Sequence, residues 1–333
     1  MKNNSKLYET TAALLARGKG ILAADESIGT AGTRLAQVHL ENTPENRQDF
    51  RELLFTADGI EQYVSGVIMY DSSIRNETDD GTPFPDVLIA KGIIPGIKVD
   101  TGVKDFEGFK GEQFTQGLDD LAKRFAEYYA LGARFAKWRM VVTIDGEDTP
   151  TQESIKMNCM QMARYAMLAQ AAGIVPIVEP EVIHAGDHTL QTAELHTTRT
   201  LQILFQTLQE YRVDLAGLIL KSSMVLAGDK HPEQTSAAEV AQATLRTFHM
   251  SVPHECAGIV FLSGGQSPER ATENLNEIAK LGQQPWPITF SFSRALEQPV
   301  LEAWGGKPEN VEASKAALLE ACQKNSVASL GQM

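Results

Sequence analysis

The sequence predicts an α/β fold, a single (β/α)8 TIM barrel over residues 1–333 with a short C-terminal tail at 320–333. Two observations carry this. Eight short apolar runs rich in Ile and Val alternate with longer stretches of helical period. The segment after the first run, IGTAGTR, lacks the G-x-G-x-x-G fingerprint of an open doubly wound sheet. Near-continuous apolar strands, each followed by a helix, mark parallel strands buried on both faces, and eight of them close most simply into a barrel.

In order, the runs are GILAADES (20–27), VSGVIMYD (64–71), IPGIKVD (94–100), FAKWRMVV (135–142), IVPIVEP (174–180), LAGLILKSS (215–223), AGIVFLSGG (257–265) and PITFSFSR (287–294). Helix signals lie between them. Thr43-Pro44-Glu45 sets an N-cap before a proline at the first helical position, ahead of FRELLFTA. Thr149-Pro150 opens another helix, in which Ile155, Cys159, Met162, Ala163 and Ala166 recur at helical spacing and Gly173 closes the turn. Residues 236–250 and 268–282 read the same way.

Composition bounds the function classes. Hydrophobic residues make up 43% of the chain and charged residues 22%, ordinary values for a globular protein with a sizeable core. A formal net charge of −13 argues against nucleic acid or an anionic membrane surface as partner, so any phosphate must be held by a local cluster of Lys, Arg and backbone N–H groups. The scattered cysteines Cys159, Cys256 and Cys322 suggest neither a disulfide framework nor a zinc site, and Cys159 and Cys256 read as buried, inert thiols. With no span-length apolar run and no signal-peptide core, a cytoplasmic location is expected.

The ends of the runs hold the chemistry. Barrel enzymes project catalytic side chains from the C-terminal ends of their strands. Here those ends carry Asp25, Lys98, Lys137 with Arg139, Glu179 with Glu181, Lys221, and Arg294. Strand alternation puts Lys137 and Arg139 on one face, and Glu179 and Glu181 likewise. A charge inside an apolar strand is costly unless paired, so each residue either joins an ion pair in the barrel interior or does chemistry. For one residue those readings weigh alike; several strands charged at the same end favour chemistry.

Lysines crowded at one mouth would lower one another's proton affinity, and a neutral amine can attack a carbonyl. The resulting iminium is an electron sink for breaking a neighbouring C–C bond, while carboxylates move the protons. On the residues alone, Lys98, Lys137 and Lys221 are equal candidates for the nucleophile. Ser263-Gly264-Gly265, with Ser291 and Arg294 in the eighth run, forms a candidate phosphate cradle, since loops after strands seven and eight are the usual phosphate site of this architecture.

These stretches resemble the class I (Schiff-base) fructose-1,6-bisphosphate aldolases. The resemblance runs from about Tyr8 to Ser326 and rests on GKGILAADES, GIKVD, FAKWR, GIVPIVEPE, LILK, FLSGGQS, TFSFSRA and AWGGK. It implies Lys221 as the Schiff-base lysine, Glu179 as general acid/base with Glu181 beside it, and Lys137 as stabiliser of developing charge. Asp25 would orient Lys221 or help deprotonate the C4 hydroxyl. One phosphate would lie on Ser263, Gly264, Gly265, Ser291 and Arg294, with Arg34 nearby; the other would be reached by Lys98, Arg139 and the loop around Ser27 and Thr30. Sugar phosphates are the implied partners, no cofactor is implied, and the resemblance suggests a homotetramer.

Four departures stand out. Thr33 stands where the family usually has a lysine beside Arg34. Ala216 and Ser222 replace an acidic residue and a proline around the nucleophile, and Ser293 replaces a glycine before Arg294. KNSVASLGQM stands in place of a longer tail ending in a tyrosine that assists proton exchange on the enamine. Thr33 and Ser293 keep an aldolase for another ketose, such as fructose 1-phosphate, as an alternative. A second alternative, a catalytically weak barrel that binds protein partners, is opposed by every catalytic position being filled.

Other residues have plainer readings. His184 and His188 flank a glycine-containing loop without a Cys/His cluster, so they read as loop residues rather than metal ligands. Met157, Met160, Met162 and Met167, on one helix, read as packing against the barrel. Trp138 alternates with Lys137 and Arg139 and is expected to face outward under a helix.

Overall fold

Eight parallel strands hydrogen-bond into a closed ring in the computed structural model, which describes residues 4–333. They are β1 (Gly20–Ala24), β2 (Val64–Met69), β3 (Ile94–Lys98), β4 (Phe135–Val142), β5 (Val175–Val182), β6 (Ile219–Ser222), β7 (Gly258–Phe261) and β8 (Ile288–Phe292). Ile21 of β1 sits opposite Ser291 of β8, which closes the ring. Each apolar run meets one strand; β5 continues two residues past its run of 174–180, while several other runs extend past their strands. Ser27 already caps the helix Ile28–Ala36, Ser263–Gly265 is a turn, and Arg294 opens the helix Arg294–Trp304. Pairing stops where the barrel opens, and the polar residues beyond act as caps and turns.

Alternation divides the strand residues between two cores. Ile21, Ala23, Ile68, Phe135, Val175, Ile177, Ile219 and Val260 fill the barrel, together with Leu7, Leu14 and Leu15 from the N-terminal end of the chain. Leu22, Val67, Trp138, Val178, Leu220 and Ile259 pack in the layer between barrel and helices. Full burial of such a side chain contributes about 1.5–3 kcal/mol. Trp138 faces outward as its parity requires, its ring stacked on Tyr165 with centroids 5.5 Å apart. Phe135 fits the interior because a Cβ on Gly96 would lie 2.3 Å from its ring. Continuing the inward parity leads from Ala23 to Asp25, from Phe135 to Lys137, from Ile177 to Glu179 and from Ile219 to Lys221. Each strand is apolar below and charged above, and this switch places the charges at the C-terminal mouth.

Three sequence expectations change. Thr149-Pro150 does not cap the next helix: Thr151 does, accepting the Ser154 N–H at 3.2 Å, and the helix is Gln152–Ala171. Its buried face is Ile155, Cys159, Met162, Ala163 and Ala166 as expected, but Met160 and Met167 are exposed. The helical period carries them off the buried stripe, so of the four methionines only Met162 is buried. The supposed tail at 320–333 is mostly the end of a helix, Val311–Ser329, anchored by buried Leu318, Cys322 and Asn325. Thr43 caps Pro44–Thr56 as predicted, accepting the Asn46 N–H at 3.1 Å. A short antiparallel ribbon, Val103–Asp105 with Gln113–Thr115, lies between β3 and β4; it is too short and polar for a period to reveal.

Candidate active site

Four charged side chains at the mouth are only 3–6% exposed: Asp25, Lys137, Glu179 and Lys221. At that burial a lone charge would be prohibitive, so they must neutralise one another. Glu179 does most of this. Its Oε1 lies 3.1 Å from Lys221 Nζ and its Oε2 lies 2.8 Å from Lys137 Nζ. Lys137 Nζ also lies 2.7 Å from Asp25 Oδ2. The result is a buried row of alternating sign, Lys221–Glu179–Lys137–Asp25, drawn from β6, β5, β4 and the residue after β1.

The crowding of lysines expected from the sequence is real in register but neutralised in contact. Lys98 and Lys137 are direct partners across β3 and β4. Yet Lys98 Nζ is 2.6 Å from Asp100 Oδ1, and Lys137 sits between two carboxylates. Burial works against the Lys137 charge, but Asp25 and Glu179 outweigh it and raise its pKa above that of an ordinary lysine. Burial likewise pushes the Glu179 carboxyl up, while Lys137 and Lys221 bring it down to about 2. Arg139 follows the same logic: burial opposes its charge, and Glu181 and Glu179 raise its pKa. Glu181 is ion-paired with Arg139 and is not in the row that reaches Lys221.

A depressed carboxyl carries a pH signature. Its pairing stabilises the fold above the unfolded value of about 4.3 and is lost as pH falls through the folded value. Stability is therefore expected to drop between about pH 5 and the Glu179 value of about 2. Lys137 stays charged throughout this window. Urea unfolding across the range checks this: Glu179→Gln should flatten the curve, and parallel curves for the two proteins would contradict the assignment.

The phosphate candidates fall into two groups. Ser263 and Ser291 are buried, and the Ser291 Oγ has no hydrogen-bond partner among the described residues. Nor do the N–H groups of Gly264 and Gly265 meet an acceptor among those residues. Arg294 is exposed at the start of its helix. Together these offer free donors to an anion. On the other half of the ring, Ser27 and Thr30 sit at the N-terminus of Ile28–Ala36, with hydroxyls 3.1 Å apart, in a position suited to an anion. Lys98 and Arg139 belong to this half, each held by a carboxylate.

Arg34 is differently placed from the other candidates. It is ion-paired with both Glu26 and Glu297, and its Nη2 donates to Ser293 Oγ at 2.8 Å. Arg51 joins the same buried cluster through Glu26 and Glu297. Ser293, one of the four departures, donates to Glu26 Oε1 at 2.8 Å and so ties the cluster together. Thr33, another, turns its hydroxyl back to the Gly29 carbonyl at 3.2 Å. Sequence reasoning missed Glu26, Arg51, Glu297 and Asp100. The available signals were weak: Glu26 adjoins Asp25, and Glu297 lies one helical turn after Ser293.

Such a fold and mouth define a class, the barrel lyases with a buried lysine set beside a carboxylate. Comparison with known proteins agrees. Residues 6–333 match the family model described as fructose-bisphosphate aldolase class-I. A probable class 1 fructose-bisphosphate aldolase of Xanthomonas axonopodis pv. citri is 47% identical over 328 residues, covering 98% of each chain. A cytosolic fructose-bisphosphate aldolase of Arabidopsis thaliana is 47% identical over 332 residues, 99% of this chain and 92% of that one. The solved structure of Plasmodium falciparum fructose-bisphosphate aldolase, in complex with TRAP and a small-molecule inhibitor, superimposes with a TM-score of 0.98 at 44% identity, covering 99% of this chain and 95% of that one. The chain belongs to the class I fructose-bisphosphate aldolase family. Among the described residues no helix is long and apolar enough to cross a membrane.

Proposed function

We propose that the chain cleaves fructose 1,6-bisphosphate reversibly to dihydroxyacetone phosphate and glyceraldehyde 3-phosphate, through a Schiff base on Lys221. The observation that carries the assignment of roles is Glu179, whose two oxygens meet Lys221 and Lys137. Lys137 is locked between two carboxylates, whereas among the described residues Lys221 is ion-paired with Glu179 alone. Lys137 therefore serves as the fixed cation and Lys221 as the nucleophile.

Lys221 passes a proton to its partner Glu179 and attacks C2 as the neutral amine, and Lys137 stabilises the oxygen charge that develops. The carbinolamine nitrogen is neutral, so Glu179 then loses one of the cations that hold its proton affinity down. Glu179 is the group placed to protonate the departing hydroxyl as water leaves. The iminium draws the electron pair of the C3–C4 bond as a carboxylate, Asp25 or Glu179, removes the C4 hydroxyl proton. Glyceraldehyde 3-phosphate departs, the enamine takes a proton at C3, and hydrolysis returns Lys221 and dihydroxyacetone phosphate. The C1 phosphate is one carbon from the bonded C2, so it belongs beside β6, on Ser263, Gly264, Gly265, Ser291 and Arg294. The C6 phosphate reaches across to Ser27, Thr30, Lys98 and Arg139. A lysine iminium supplies the electron sink without a metal.

Borohydride reduction with dihydroxyacetone phosphate tests this. A covalent adduct is expected on Lys221 by peptide mapping, with cleavage persisting in chelator. Folded protein without an adduct would overturn the mechanism. Thr33, which presents no charge, favours comparing cleavage of fructose 1-phosphate in the same assay. A cytoplasmic homotetramer accompanies this reading; the cytosolic plant relative supports the location, and sedimentation tests the assembly.

A further inference from the structure

The loop after β5 carries a histidine that the mechanism does not use. His184 packs against the Ser263–Gly265 turn, its Nδ1 lying 3.3 Å from the Gly265 carbonyl oxygen. A carbonyl only accepts, so Nδ1 must carry the hydrogen and donate it. The fit is close. Gly265 has a φ of +77°, and a Cβ there would lie 2.5 Å from His184 Nδ1. A Cβ on Gly264 would lie 2.6 Å from Glu181 Oε1. Both glycines of the turn therefore rest on side chains from the end of β5 and the loop that follows it.

That loop is itself braced by the segment after β6. Gly228 N–H donates to the His188 carbonyl at 2.8 Å, Asp229 N–H to the His184 carbonyl at 3.1 Å, and Lys230 N–H to the Gly186 carbonyl at 2.8 Å. Asp229 Oδ1 in return accepts the Gly186 N–H at 2.9 Å. The loops after β5, β6 and β7 thus form one interlocked ledge, and the His184 ring spans its last gap. The Gly264 and Gly265 N–H groups have no acceptor among the described residues. Free donors bind an anion well only if the turn is held before the anion arrives.

We propose that His184 is a positioning residue that holds the Gly264-Gly265 turn ready for the C1 phosphate, and so sets affinity for the dihydroxyacetone phosphate half of the substrate. This rests on the reading above that the turn takes that phosphate. The full chain, assayed in the condensation direction, tests it with His184→Ala, His184→Asn and Arg294→Ala. Loss of one hydrogen bond predicts a rise in KM for dihydroxyacetone phosphate of about three- to tenfold in His184→Ala. The KM for glyceraldehyde 3-phosphate and kcat should stay within about twofold, because only binding of one half is touched. His184→Asn should recover much of the loss, since its amide can donate from a position near that of Nδ1. An unchanged KM in His184→Ala beside a raised KM in Arg294→Ala would overturn the role of His184 alone. Unchanged values in both would overturn the phosphate reading with it. A rise in both substrates' KM with a lowered Tm would mark His184 as a general structural residue and overturn the proposal too.

Discussion

Replacing Lys221 with methionine is expected to lower kcat for fructose 1,6-bisphosphate cleavage by on the order of 10⁵-fold, because the covalent route disappears entirely. The barrel should remain folded. Methionine is close to lysine in length, and the buried pocket tolerates an apolar side chain better than an unpaired cation. Glu179 keeps Lys137 at 2.8 Å, so no buried carboxylate is orphaned. Steady-state cleavage, borohydride trapping and a thermal melt decide the matter together. The adduct should vanish with activity while the Tm changes little. Residual activity within about a hundredfold of the parent would place the nucleophile elsewhere.

Lys137→Met should behave differently, and the contrast is diagnostic. Lys137 contacts both Asp25 and Glu179. Its removal leaves Glu179 paired with Lys221 alone and Asp25 without its ion-pair partner, and is expected to cost about 3–5 kcal/mol of stability. Loss of the cation that stabilises the carbinolamine should lower kcat by about 10²–10⁴-fold. The pH dependence should change sense. In the parent, acid removes a favourable pairing; in the variant, protonating one of two facing carboxylates relieves repulsion. The stability gap between the proteins should therefore be narrower at pH 5 than at pH 7 by urea unfolding, about as one carboxyl takes up its proton. A constant gap would mean that Lys137 does not govern the cluster.

The barrel was legible because its signal is distributed. Eight apolar runs each contribute, and no single boundary matters to the topology. The charged mouth was legible for the opposite reason: Lys137, Glu179 and Lys221 interrupt runs that are otherwise apolar, and strand parity says which way they point. What could not be read was which charge meets which. Lys98 goes to Asp100, Arg139 to Glu181, and Arg34 to Glu26 and Glu297. These pairings depend on side-chain reach across strands and on helices far away in sequence, and acidic residues on loops and helices carry no period. The expectation of a lysine with lowered proton affinity came from counting cations alone; for Lys137, the carboxylates beside it reverse the sign. His184 was read only as a loop residue, because nothing local says that Gly265, 81 residues later, will lie against it.

The inward parity that lifts Asp25, Lys137, Glu179 and Lys221 above an apolar floor also limits how this gene can change in length. Within β5, one residue inserted between Ile177 and Glu179 would turn Glu179 toward the helices and bring a neighbour to the mouth, a one-position slip that exchanges the two faces. In the connecting loops the same insertion shifts no strand's parity. Length variation that preserves the reaction is thus confined to the segments between strands, while the eight short strands behave as fixed-length words in which substitutions are possible but frameless insertions are not.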